Sequence, residues 1–498
     1  SAFFFKIMEE NNPQNFMALK STAIDTLRNM IEKKYQNIEL DQELLGEISS
    51  ITILSNFISE LANSHIIIED FLINVRSFIL QIIADESFNK NDSDLDNISF
   101  KNFLGSLALQ SHHNEYIWSL SSKDLKNLDK ITQSILSANQ NNGIDIEIII
   151  LALATTKDLS NFKEIIPNFN DLKNSKNKKL SKIFNDQISN FAKENDIKKT
   201  IKLLNKIDDN VSIKVQRQYE ENPYPRWDNI EINYNNYYAN VVQSEISPNT
   251  FTYEGEDTKI LIAGCGTGRH AITTALASQS SMVTAIDLSA DSLAYGIRKA
   301  KEIGVSNIEW YQGDILDIEK LNYSFDYIEA SGVLHHMKDP AQGFNALKNQ
   351  LKPNGLMKLG LYSSASKRRL ETAKAFIKDN KIKKTRKGIG ELRDFIKNSE
   401  DKDCIFLRRI IADFFVTSEI IDLLLHEQEV FFTIPELKNL FESEFNFLGF
   451  VFGEVEKLYY QEQFPDDKKH TNLDNWEKLE TKSSDIFLKM YQFWIQKK

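Results

Sequence analysis

The sequence predicts an α/β chain: a long all-helical region, then an open sheet wound with helices that the last residues complete. Three observations carry this. Residues 1 to 205 hold apolar positions at helical spacing. From Lys259 onward, short apolar runs alternate with helical patterns, as in a parallel sheet. The first run, Lys259-Ile260-Leu261-Ile262-Ala263, ends in Gly264, Gly266 and Gly268, and a helical stretch follows at once. At 498 residues the chain is too long for one compact core, and 41% apolar with 26% charged residues is ordinary for a globular protein.

In chain order, helices are expected over Ser21 to Gln36, Asp41 to Ala62, Ile66 to Ile83, Asp145 to Thr155 and Asn185 to Ile207. Polar joints at Asn89 to Asn97 and Asn139 to Gly143 separate them, and no repeat period is visible. This 1–205 region is either a helical scaffold or a surface for dimerisation and substrate docking. Residues 206–250 form a linker that leads into the core, 251–365.

The glycine turn lets backbone come within contact distance of a ligand, since glycine carries no Cβ. A second strand, Val283-Thr284-Ala285-Ile286-Asp287-Leu288, ends in an acid where a Rossmann-like fold binds ribose hydroxyls. Arg269 stands where a dinucleotide fingerprint needs its third glycine, so the pattern is G-x-G-x-G. That resembles the first loop of S-adenosylmethionine (AdoMet) methyltransferases. Further elements follow in order. Trp310-Tyr311-Gln312-Gly313-Asp314-Ile315 ends a third strand in an acid able to accept from the adenine amine. Phe325 to Ala330 runs into Ser331-Gly332-Val333-Leu334-His335-His336, which should face the site because ligands lie outside the carboxyl ends of strands. A helix from Pro340 to Leu351, a turn at Lys352-Pro353-Asn354-Gly355 and a fifth strand, Leu356 to Tyr362, complete this stretch.

Residues 366–430 read as a helical insertion over the active site, and 431–498 as the segment that completes the sheet. Thr433 caps a helix with Pro435 in its first turn, running to about Glu444, and strands follow at Phe445 to Phe452 and Met490 to Ile495.

Across Lys259 to Ser363 the chain resembles the class I AdoMet-dependent methyltransferases. The resemblance implies a seven-stranded sheet with the last strand antiparallel, AdoMet as cofactor and S-adenosylhomocysteine as product. It places Gly264, Cys265, Gly266, Gly268, His270, Asp287, Leu288, Gly313, Asp314, Ile315, Ser331 and Gly332 at the cofactor. The segment Gln216 to Trp227 holds Tyr219, Tyr224 and Trp227 beside two prolines that fix the backbone. It is either a packed linker or a lid whose ring faces favour a sulfonium or an ammonium by about 1–2 kcal/mol when desolvated. Its Asn222-Pro223-Tyr224 is not the motif of adenine or glutamine amino-methyltransferases, because that motif ends the fourth strand. His335 and His336 either handle the acceptor or its proton, or simply shape their loop. His426, just before the closing helix, is a candidate to face the site.

Narrower features are Phe103-Leu104-Gly105-Ser106-Leu107-Ala108-Leu109-Gln110-Ser111-His112-His113-Asn114-Glu115-Tyr116, the Tyr219 to Trp227 segment, Asp413-Phe414-Phe415-Val416-Thr417-Ser418, His426-Glu427-Gln428 and Phe432-Thr433-Ile434-Pro435. With an Asn-, Ile- and Lys-rich composition they resemble the rickettsial protein-lysine methyltransferases that modify outer membrane protein B. That implies a lysine-bearing surface protein as substrate, a homodimer through the N-terminal helices, and Tyr219, Tyr224 and Trp227 as walls of a lysine channel, with His335 and Tyr362 beside them. The alternative is a small-molecule methyltransferase of quinone type with an accessory helical domain.

Composition excludes other classes. A net charge of −11 is not the footprint of a general nucleic-acid binder, and basic runs at 176–179, 367–369 and 381–387 read as solvated faces. Cys265 and Cys404 are the only cysteines, which suggests neither a disulfide framework nor a zinc site. No metal is expected. No apolar run is long enough to span a bilayer and no leader-like segment opens the sequence, so a cytoplasmic location is expected.

Overall fold

The computed structural model describes residues 13–35, 38–60, 62–85, 98–136, 145–228, 230, 238–251, 258–488 and 490–498. The expected polar joints at 89–97 and 139–143 lie outside them. The chain divides into two compact units, one of 1–192 with 372–425 and one of 193–371 with 426–498.

The first unit is helical. Asp145 caps the helix Ile146–Ala154 by accepting from the Glu147 amide, and Ile66–Ala84 spans the run expected there. The stretch expected as one helix over Asp41 to Ala62 is two, Gln42–Ser49 and Thr52–Glu60. Ser49 and Ser50 both donate hydroxyl hydrogen bonds to the Gly46 carbonyl, a local bonding that competes with helix continuation. Residues 372–425 belong to this unit. Arg393 donates to both carboxylate oxygens of the fully buried Glu69 at 2.8 Å, Trp118 adds its indole N–H at 3.1 Å, and Ser418 donates backbone and hydroxyl bonds to Glu115. Removing one partner from such a pair strands a buried charge, costing about 3–5 kcal/mol.

The second unit is built on an eight-stranded sheet: β1 Lys202–Leu203, β2 Lys259–Ala263, β3 Met282–Asp287, β4 Ile308–Gln312, β5 Phe325–Ser331, β6 Leu351–Tyr362, β7 Phe445–Phe450 and β8 Met490–Lys497, in the order β1-β4-β3-β2-β5-β6-β8-β7. β1 to β6 pair in parallel, while β8 is antiparallel to both β6 and β7. The antiparallel last strand stands as expected; the count of seven does not. The eighth strand, β1, comes from residues expected to continue a helix to Ile207. That helix ends at Lys198. Thr200 turns its hydroxyl back to the Ile197 carbonyl, the β-branched Ile201 follows, and the edge of β4 offers ladder partners that Lys202, Leu203 and the Leu204 amide take up.

A second difference concerns residues 352–355, expected as a turn. They lie within β6, whose register against β5 shifts between Phe325 and Tyr327, so the extra residues form a bulge.

Side chains alternate along the central strands. Leu261, Ile286 and Ile328 bury on one face with Met357 and Leu359, while Ile260, Ile262, Val283, Ala285 and Tyr327 bury on the other. β2 has β3 on one side and β5 on the other, which makes the crevice at their carboxyl ends the topological switch point.

Candidate functional site

The carboxyl end of β2 opens into the glycine loop. Gly264, Gly266 and Gly268 have φ of 66°, 53° and 79°, a conformation costly to any residue with a Cβ. At Gly266 a Cβ would also lie 2.6 Å from the Tyr224 carbonyl oxygen, so the aromatic segment runs directly over the loop. Thr267 fastens it: its amide donates to the Tyr224 carbonyl at 3.3 Å and its hydroxyl to the Pro225 carbonyl. Cys265 is buried, and that burial pushes its thiol well up, away from the thiolate form.

Asp287, ending β3, accepts from the Gly266 amide at 2.7 Å and the Ser289 amide at 2.9 Å. Burial pushes its carboxyl up, and those N–H groups pull it back. Leu288 is half-buried, and its carbonyl accepts from Gln312. Gly313 donates its amide to the Asp287 carbonyl. Asp314 is buried and caps the short turn after β4 by accepting from the Leu316 amide, while Ile315 lies in the core. Ser331 ends β5, and the Gly332 amide reaches the Gly360 carbonyl of β6.

Two of the expected residues have other surroundings. Trp227 is buried against Ile272 and Ala300, donates its indole N–H to the Thr267 carbonyl at 3.3 Å, and has the Lys299 ammonium over its ring at 5.3 Å. It supports the glycine loop from within the fold. His270 lies 2.9 Å from Glu329, a β5 carboxylate that is 1% exposed. Burial raises Glu329 to about 7; the Lys358 ammonium at 3.8 Å pulls the other way, and Tyr238 donates its hydroxyl to the same carboxylate. Lys358 in turn pairs with Glu245, which also accepts from the Trp494 indole. The sequence carried a signal for this network, an acid and a lysine in the middle of two buried strands.

The rest of the site is a column of rings. Centroids follow one another from Tyr219 to His426 at 5.8 Å, His426 to His336 at 3.6 Å, His336 to His335 at 4.2 Å, His335 to Tyr362 at 3.9 Å and Tyr362 to Phe431 at 5.8 Å. Chain segments far apart in sequence meet because residues 426–433 are laced along the strand ends: the Val430 amide donates to the His335 carbonyl, Phe432 to Tyr362, and Ser364 to Phe432. The column is tied to the acid at β3. Ser289, whose amide bonds Asp287, donates its hydroxyl to the Tyr219 carbonyl at 3.1 Å, and the Tyr219 hydroxyl meets His426 Nε2 at 3.2 Å.

His335 is fully buried. Neither ring nitrogen makes a hydrogen bond of good geometry; only the Gly360 carbonyl favours its charged form, and burial holds it far below the usual histidine range. A buried polar group left so costs about 1–3 kcal/mol, a cost a bound ligand would relieve. Tyr219, His335 and Tyr362 thus lie in one column, and Tyr224 sits at the loop. His336 and Gln428, both within stretches singled out in the sequence, join the arrangement, and Phe431 completes it without a local sequence pattern of its own.

Residues 254–399 match the family described as a methyltransferase domain. The chain is 30% identical over 202 residues to an uncharacterized protein of Synechococcus sp., covering 39% of this chain and 48% of that protein. It is 29% identical over 153 residues to the ubiquinone biosynthesis O-methyltransferase of Haemophilus ducreyi, covering 28% of this chain and 60% of the relative. The matches thus span about half to three-fifths of these curated relatives. Among solved structures, PKMT2 from Rickettsia typhi in complex with AdoHcy is similar at 17% identity, covering 55% of this chain and 54% of that one with a TM-score of 0.40. The expected resemblance of the core to class I methyltransferases stands on the family match and the strand order. Among the described residues no helix is long and apolar enough to cross a membrane.

Proposed function

We propose that this chain is an AdoMet-dependent methyltransferase that modifies lysine amines of a bacterial surface protein, of the outer membrane protein B type, in the cytoplasm before export. The observation that carries the reading is the hydrogen-bonded run Asp287–Ser289–Tyr219–His426, which joins the acid at the glycine loop to the ring column. The residues fit AdoMet: a backbone cradle that tolerates no Cβ at Gly266, one acid at the end of β3 for the ribose, and a buried acid after β4 for the adenine amine.

When bound, AdoMet supplies a methyl group on a sulfonium, open to in-line attack by a neutral nucleophile. The chain has to position that nucleophile and strip its proton and water. The ring column does both. Ring faces favour a cation by about 1–2 kcal/mol. Taking an ammonium out of water costs several kcal/mol, so the second effect wins and the amine enters neutral. Holding nitrogen near the methyl carbon then supplies much of the rate. The separate helical unit is assigned to docking of the protein substrate and to self-association.

The small-molecule reading has one observation in its favour: the relatives that match the core include ubiquinone biosynthesis O-methyltransferases. Transfer of labelled methyl to unfolded surface autotransporter fragments and, in parallel, to a metabolite extract separates the two. Label mapped to lysine by mass spectrometry upholds the proposal, and label confined to the extract replaces it with the small-molecule activity.

A further inference from the structure

The ring column ends at Phe431, and a cation of the chain itself rests on that end. The Lys367 ammonium lies over the Phe431 ring, 5.9 Å from its centroid. Within about 6 Å a ring face attracts an ammonium through its quadrupole. The next ring inward, Tyr362, is 5.8 Å from Phe431. Backbone bonds fix this placement. Phe432 donates its amide to the Tyr362 carbonyl, and Ser364 donates its own to the Phe432 carbonyl at 2.7 Å. Ser363 accepts from the Ser366 amide at 3.0 Å, and its hydroxyl donates to the Phe487 carbonyl. The first turn of helix Ser364–Asn380 is thereby held beside residues 431–433, with Lys367 in that turn.

The same turn breaks a local preference. A helix N-terminus is the positive end of its dipole and favours acids, yet this first turn holds none and runs into Lys367 and Arg368. Arg368 has an electrostatic reason to be there, since it lines a cavity with Glu477 and Glu480. Lys367 has no such neighbour. It is exposed, and among the described residues its ammonium makes no ion pair. A local rule broken without a compensating contact marks a residue with another use.

On the reading of the column as the path of a lysine amine, we propose that Lys367 is a methylation site of the chain itself, modified in cis with AdoMet as donor. Rotation about the flexible four-carbon stem carries the amine from Phe431 inward past Tyr362. Solvent, which reaches Lys367, takes the ammonium proton. The neutral amine then attacks the methyl carbon. As the N–C bond forms, the S–C bond breaks and its electron pair stays on sulfur, leaving S-adenosylhomocysteine and a secondary ammonium on Lys367. Methylation keeps the positive charge and adds apolar surface, so the product still suits the Phe431 face.

The contact is tested first without cofactor, by NMR of the lysine ε-methylene groups, with Lys367 assigned by its loss in Lys367→Arg. Phe431→Leu should shift that signal, because the ring current goes with the ring; an unmoved signal removes the contact on which the site rests. The full chain is then incubated with AdoMet and no substrate, and Lys367 is mapped by mass spectrometry before and after, with the chain unfolded in urea as the reference. The expected result is a methyl on Lys367 that builds up at a rate independent of protein concentration and is absent from the reference. A rate that rises with concentration puts the acceptor on another copy and overturns the cis assignment. Equal methylation of the unfolded chain is unassisted chemistry and overturns it too. Surface-protein fragments and a metabolite extract, run in parallel, separate this inference from the proposed function. Label on fragment lysines with none on Lys367 removes the inference and leaves the lysine reading. Label in the extract alone takes both away.

Discussion

The two halves of the site are made in opposite ways. The glycine-loop half is local and mostly backbone: Gly264, Gly266 and Gly268 turn at positive φ, and Asp287 is fastened by main-chain N–H groups. The ring-column half is side chains brought by four separate segments: Tyr219, His335 with His336, Tyr362, and His426 with Phe431. Backbone geometry constrains residue type tightly at successive positions. A wall of rings asks for planar groups at the right distance and, at His335, for ring nitrogens that a ligand can bond. The first half should therefore govern cofactor affinity, and the second the transfer step.

The largest effect is expected at Trp227, which supports the loop rather than lining a channel. Trp227→Ala should cost about 3–5 kcal/mol in denaturant unfolding, and AdoMet affinity should fall with it. A stable variant that binds AdoMet normally and only transfers slowly would return Trp227 to the acceptor side. Next, Asp287→Ala should weaken AdoMet binding about a hundredfold, close to 2.7 kcal/mol, by calorimetric titration. An unchanged dissociation constant would remove the ribose assignment. His335→Phe sharpens the contrast from the other side. It replaces two poorly bonded buried nitrogens with carbon, so stability should hold or rise, within about 1–3 kcal/mol, while transfer falls. Loss of stability there would mean that the nitrogens are satisfied in solution.

The smallest effect concerns Glu329 under the loop. Its carboxyl, raised to about 7, keeps a proton in the folded chain that the unfolded chain has already released. Between the ordinary carboxylate range and pH 7 the native state binds more protons, so stability falls as pH rises through that window. Glu329→Gln should remove a slope of at most about 1.4 kcal/mol per pH unit. Parallel melting curves for the two proteins between pH 5 and 7 check this, and an identical slope in both would show that Glu329 titrates normally.

The same contrast explains what the sequence disclosed. β2, the glycine turn and the acid ending β3 were legible because sterics and strand periodicity act over a few adjacent residues. Thr433 was legible too, and its capping box with Glu436 is present. β1 was not, since two residues gain strand structure only from the exposed edge of β4. Nor was the column: nothing near His426 in sequence says that Gln428 will hold it against His336, a juxtaposition that arises only when residues 426–433 lie along the ends of β5 and β6. Trp227 shows the remaining limit. An aromatic beside prolines is consistent with a channel wall or a core residue, and only packing decides.

The most direct test is AdoMet titration into His335→Phe, with single-turnover transfer measured on the same preparation. Native cofactor affinity with transfer reduced at least tenfold is the expected result. Equal losses in both would mean that the ring column belongs to the cofactor site, and that the two halves are one.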